Sequence, residues 1–143
     1  MISIEKSIHI NSPIADVFAF LTDFANDAKW QGDLVRSEKT SPGPMAVGST
    51  GLYVQKVMGK EIQNDVTVTV YEPPKRFGMK TTSGPVQFEI NASLEEMGSG
   101  THLTMTLNGE PGGFFKLAEG LLKGELEKSL DRDFGKLKKI LEA

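Results

Sequence analysis

Side chains able to do acid–base or metal chemistry are few in this sequence, and they are scattered. His9 and His102 are the groups that titrate near neutrality without perturbation. Each falls on the polar side of an alternating run, opposite the Ile8/Ile10 face in one case and the Leu103/Met105/Leu107 face in the other, so both read as surface groups. Glu95-Glu96 and Asp131-Arg132-Asp133 supply carboxylate pairs, the residue types a general acid and base require, but both stretches are charged and read as solvated. No His-Glu-x-x-His, calcium-binding loop, P-loop, G-x-G-x-x-G or nucleophile elbow occurs. "GEPGG" at 109–113 lacks the lysine of a phosphate loop and reads as the approach to a final helix. The absence of cysteine excludes disulfides, thiol catalysis and cysteine-based zinc sites. Neither a metal nor a cofactor is expected.

With titratable chemistry so thin, the elements that would position any site carry the argument. Ile2, Ile4, Ile8 and Ile10 alternate with polar residues as a strand, and Lys6 on the apolar side of that count suggests an open rim. Ser12 is placed to cap a helix with Pro13 at its first position, and Val17, Phe18, Phe20 and Leu21 form its apolar side. A second short helix spans 24–29 and leads to Trp30, the single tryptophan. Strands follow over 34–40, 49–58, 61–71, 77–82, 86–95 and a returning strand lined by Leu103, Met105 and Leu107, separated by Pro- and Gly-rich turns. The last element is a helix over 114–141, about 40 Å long at 1.5 Å per residue. Its apolar stripe, which starts at Phe114, Leu117, Ala118, Leu121 and Leu122, rotates near Gly120 and Gly124 and predicts a bend there.

Short connections predict an antiparallel meander, and a curved sheet with one apolar face needs a cover. The expected fold class is α+β: a seven-stranded antiparallel sheet wrapped around the C-terminal helix, with two short helices after the first strand closing one end. All 143 residues fit one domain, of a size that buries about 70% of its unfolded surface. A net charge of −3 gives no electrostatic case for nucleic acid. No run of 18 apolar residues and no signal-peptide pattern is present, so no integral membrane segment is expected and the location is read as cytoplasmic.

In that arrangement Phe77, Met79, Phe88, Ile90, Met105 and Leu107 face the helix, and Phe114, Leu117, Leu121 and Leu122 face back. Trp30 and Tyr53 are candidates for the rim, Trp30 at the mouth or in the wall, although "TGLYVQK" leaves the direction of Tyr53 open. Asn64 shares parity with Val66, Val68 and Val70, which places a polar group on an apolar face, where it needs a partner. Gln55, Thr81 and Asn108 complete the inward polar set. From the residues alone, this lining serves equally as a filled core or as a ligand cavity.

The segments "IHINSPIADVFAFLTDFANDAKW", "GSTGLYVQ", "VTVTVYEPPKRFGMKTTSG" and "LKKILEA" together resemble the START-like, helix-grip superfamily (SRPBCC), and within it the polyketide cyclase/dehydrase and lipid transport family. The resemblance covers essentially the whole chain. It implies the helix-grip fold and favours a cavity for a hydrophobic small molecule, lipid-, polyketide- or aromatic-like. Two alternatives stay open: a cyclase or dehydratase acting on a polyketide-like substrate, and a protein-interaction module using the concave face or an exposed strand edge, with the charged end "KSLDRDFGKLKK" as a further contact. Asn64, Gln55, Thr81 and Asn108 are poor proton-transfer groups, which weighs against catalysis. An ionisable residue with a strongly displaced pKa inside the pocket would reverse that. The sequence is silent on homodimerisation, which also stays open.

Overall fold

The computed structural model describes all 143 residues except the side chain of Phe114. The order is β1 (Ile2–Ile10), α1 (Ile14–Leu21), α2 (Phe24–Trp30), β2 (Leu34–Lys39), β3 (Thr50–Val57), β4 (Lys60–Glu72), β5 (Arg76–Ser83), β6 (Val86–Met97), β7 (Gly100–Pro111), α3 (Phe114–Leu117) and α4 (Glu119–Leu141). The strands form one antiparallel sheet, β1-β7-β6-β5-β4-β3-β2, so the meander runs from β2 to β7 and β1 joins its far edge. Val57 pairs with Lys60, leaving Met58 and Gly59, both at positive φ, as a two-residue turn whose twist suits the flanking strands.

Curvature has a local cause. The register shifts within β4 at Asp65/Val66 and Val68/Val70, and within β2 at Leu34/Arg36. Bulges bend and twist the strands that carry them, and the sheet curls into a half-barrel. α4 lies in the concavity. The open edge of β1 is tied to it by charged groups: Lys138 Nζ donates to the His9 carbonyl at 2.7 Å, and the Asn11 N–H donates to Glu142 at 2.8 Å.

Two local expectations are corrected. α1 begins one residue later than its sequence suggests, after Pro13. The Pro13 carbonyl accepts from Val17 N–H, whereas the buried Ser12 offers its own carbonyl to the Thr101 hydroxyl at 2.8 Å. The final helix is not one bent rod over 114–141. It breaks at Ala118 (φ −106°, ψ 25°), while Gly120 and Gly124 sit inside α4 with no atom within 4 Å of where a Cβ would stand. The break turns Phe115 inward beside Leu122 and leaves Leu117 and Leu121 in solvent, 92% and 73% exposed. From Leu122 onward, Leu126, Leu130, Phe134 and Leu137 keep one straight face at spacings of three and four.

The core forms two clusters. One joins Val17, Phe18 and Leu21 of α1 and Phe24 and Trp30 of α2 to Tyr53, Val66, Phe77, Phe134 and Leu137. The other gathers Ile2, Ile4, Val57, Ile62, Val86, Phe88, Leu107, Phe115 and Leu122. Leu130 packs against both, and they stop short of merging.

Candidate functional site

Between these clusters, under α4, lies a cavity of about 160 Å³. An apolar cavity of about that size holds a benzene ring. Leu122, Leu126 and Leu130 form its roof, Phe77, Met79, Phe88, Ile90, Met105 and Leu107 its floor, and Trp30, Tyr53 and Leu21 its wall at the α1/α2 end. The exposed Lys56, Lys80 and Glu125 stand at its mouth.

Of the side chains singled out in the sequence, Trp30, Tyr53, Asn64, Phe77, Met79, Phe88, Ile90, Met105 and Leu107 border this one space. Trp30 is 3% exposed and stacks at a tilt on Phe134, 6.3 Å between centroids, so it belongs to the wall rather than the rim. Gln55 and Thr81 border the cavity as well. Phe114 lies outside the described side chains. Leu117 and Leu121 do not line the cavity, because the break at Ala118 shifts the inward face to Phe115 and Leu122. Asn108 is on the outer face, where it accepts from the Ser3 hydroxyl at 2.8 Å, as its place next to inward Leu107 requires.

The polar centre of the site went unnoticed in the sequence. α2 is capped by Asp23, whose carboxylate accepts from the Ala25 N–H at 3.0 Å. Residues at spacing three then share the inner face, so Phe24, Asp27 and Trp30 are all buried. The Tyr53 hydroxyl, brought across by β3, donates to the Asp27 carboxyl. Burial pushes the Asp27 pKa up to about 7; the Tyr53 hydroxyl and the neighbouring Trp30 indole pull it back, and the Asp23 charge adds to the rise. Burial, and then the Asp27 charge, push the Tyr53 hydroxyl well above its ordinary value, so it stays a donor. Near neutrality Asp27 therefore populates both its neutral and its ionised form.

Three buried polar atoms among the described residues have no protein partner: Trp30 Nε1, Asn64 Oδ1 and Thr69 Oγ1. The first two belong to the cavity wall, while Thr69 falls at the β4 bulge away from it. The indole N–H lies close enough to Asp27 to favour its charged form without completing a hydrogen bond. Gly84, at φ 129°, folds over Asn64, and a Cβ there would stand 1.9 Å from its Oδ1.

At the mouth, a polar cluster ties α4 to the loop before β2. Ser129 donates to Asp33 at 2.9 Å, Arg132 pairs with Asp33 at 3.4 Å and Asp133 at 3.1 Å, and the Gly32 N–H donates to Asp133 at 3.1 Å. The sequence reading of Asp131-Arg132-Asp133 as solvated needs correction. Asp131 is exposed and pairs with Lys6 at 3.0 Å, but Asp133 is buried between Leu130 and Leu137 on the inner helix face. Burial raises its pKa against the opposing Gly32 N–H and Arg132. His9 and His102 pair across β1 and β7, outside the cavity. Among the described residues no group of three or more metal-ligating side chains gathers, and no helix is long and apolar enough to cross a membrane.

Comparison with known proteins agrees with this architecture. Residues 1–142 match the family described as polyketide cyclase / dehydrase and lipid transport. Among solved structures, a protein from Thermus thermophilus superposes with a TM-score of 0.83 at 16% identity, covering 96% of this chain and 94% of that one. A START superfamily protein from Mycobacterium smegmatis gives 0.76 at 15% identity, covering 96% and 98%. A conserved protein from Geobacillus kaustophilus gives 0.78 at 20% identity, covering 98% and 95%. At these identities the likeness is one of fold. A search of curated proteins finds no match.

Proposed function

The chain belongs to the polyketide cyclase / dehydrase and lipid transport family, and from that membership we propose that it binds a hydrophobic small molecule in the cavity between the curled sheet and α4. The observation that carries the reading is an apolar space bordered by both core clusters and opening at a polar mouth. Trp30, Tyr53, Asn64, Phe77, Met79, Phe88, Ile90, Met105 and Leu107 are the proposed contacts. As the single tryptophan, Trp30 makes the test direct. Titration with small apolar compounds should change its fluorescence saturably, and extraction of the protein from its own host should release a bound molecule for mass spectrometry. A protein that carries nothing and responds to none of the compounds would sink the proposal. An unchanged spectrum despite proven binding would remove Trp30 from the site.

A second reading, an enzyme of the cyclase or dehydratase type, is favoured by Asp27. A buried carboxyl titrating near pH 7 can give or take a proton at physiological pH, the property missing from Gln55, Thr81 and Asn64. Assays with poly-β-ketone substrates test it. Turnover that survives Asp27→Asn unchanged would rule this role out.

A further inference from the structure

Resting on the reading of the cavity as a ligand site, we infer that Asp27, Tyr53 and Trp30 form a polar end that receives an oxygen atom of the ligand. The site would then select compact, uncharged apolar molecules bearing a carbonyl or hydroxyl group, over hydrocarbons and carboxylates. The geometry supports this in three ways. First, the indole N–H of Trp30, 3% exposed in the cavity wall, lies beside the Asp27 carboxyl without completing a hydrogen bond to it. Second, the Tyr53 hydroxyl is committed to Asp27, which fixes the carboxyl beside that indole on the same face of α2. Third, Asn64, 2% exposed in the same wall, keeps an acceptor oxygen without a protein donor, packed against Gly84, so a guest hydroxyl but not a carbonyl could pair with it. An apolar guest would leave these groups buried and unpaired, which is costly, whereas a single oxygen function could satisfy one or more of them.

Charge sets the second half of the selection. The ionisable groups buried at the inner end, Asp27 and Tyr53, are both acids; Asp133 lies at the mouth, paired with Arg132, and Lys56 and Lys80 stand exposed there. A guest carboxylate taken to the inner end would meet like charge without a buried cation. Asp23 at the start of α2 adds to the same sign, and no cation figures among the groups that perturb Asp27.

Three probes of nearly equal shape separate the possibilities: ethylbenzene, acetophenone and benzoate. Trp30 gives the single indole N–H resonance, so titrations followed by ¹H–¹⁵N NMR need no further assignment. Acetophenone should bind about tenfold or more tightly than ethylbenzene and move the indole resonance, because a site built around hydrogen bonds rejects the analogue that lacks them. Benzoate should bind more weakly than acetophenone. Asp27→Leu should reduce the preference for acetophenone to within about threefold, and Asp27→Asn should keep it. If Asp27→Leu does not fold, the wild-type comparison decides alone. Equal, saturable binding of acetophenone and ethylbenzene would overturn the inference and leave the hydrophobic site standing, as would benzoate matching acetophenone. If no probe binds and nothing co-purifies with the protein, the inference and the cavity reading fall together.

Discussion

At its C-terminal half α4 presents Phe134 and Leu137, 4% and 0% exposed, to a core completed by α1 and α2. At its N-terminal half the same helix buries Leu122 fully, while Leu126 and Leu130 remain half-buried because they border open space. One cylinder cannot fill a broad concave sheet. Where two short helices join it, Phe24, Trp30, Phe134 and Leu137 are all almost fully buried in one cluster. Between that core and the one around Leu122 a cavity remains, walled by Leu21 and Trp30 at its α1/α2 end, and the break at Ala118 places Leu117 and Leu121 outside rather than using them to fill it. The packed core and the cavity thus fall on different stretches of a single helix.

Paired truncations in the two halves test that separation most strongly. Leu137→Ala should cost about 2–5 kcal/mol, read as a fall in the urea midpoint, since its neighbours are packed on all sides. Leu126→Ala should cost only about 1 kcal/mol while enlarging the cavity, because part of its surface already faces a void. Equal losses at the two sites would erase the distinction.

The next effect concerns pH. Asp27 titrates at about 7 in the folded protein against 3.8 for the free side chain, so the native state holds the proton more tightly. Its contribution to stability is complete below about pH 4 and is lost as pH rises to about 7, by up to about 4 kcal/mol. Asp27→Asn should flatten this slope and leave the variant more stable than the parent at pH 8. A parent protein whose stability does not decline between pH 4 and 7 would contradict the burial of an ionisable Asp27. The smallest effect is expected outside both regions, where Leu121→Ser should change stability by no more than about 0.5 kcal/mol.

Much of this was legible in the sequence. Period-two alternation, with turn residues between the runs, defined seven strands and their meander, and the same parity placed Asn64, Phe77, Phe88 and Leu107 inward. The final helix was less legible, because a stripe of Phe114, Leu117 and Leu121 is as regular as the one the fold uses. Only the break at Ala118 turns Phe115 inward and Leu117 and Leu121 out to solvent. Asp27 and Asp133 were hidden by composition, since a carboxylate in a charged stretch reads as solvated. Their signal was positional: Asp27 is three residues from both Phe24 and Trp30, and Asp133 is three from Leu130 and four from Leu137, on faces already marked as buried. Which buried group finds a partner depends on β3 delivering Tyr53 to α2, a long-range pairing that local pattern does not encode.

The ties between α4 and β1 bear on contacts with other chains. A half-barrel does not close, so β1 ends the sheet with a row of unpaired backbone groups, the usual template for another chain to add itself as a strand. Lys138 occupies the His9 carbonyl, Glu142 takes the Asn11 N–H just past the strand, and the Lys6–Asp131 pair sets charge between them. The helix that roofs the cavity therefore also guards the edge, opposing strand-by-strand aggregation of a chain whose first ten residues are rich in isoleucine.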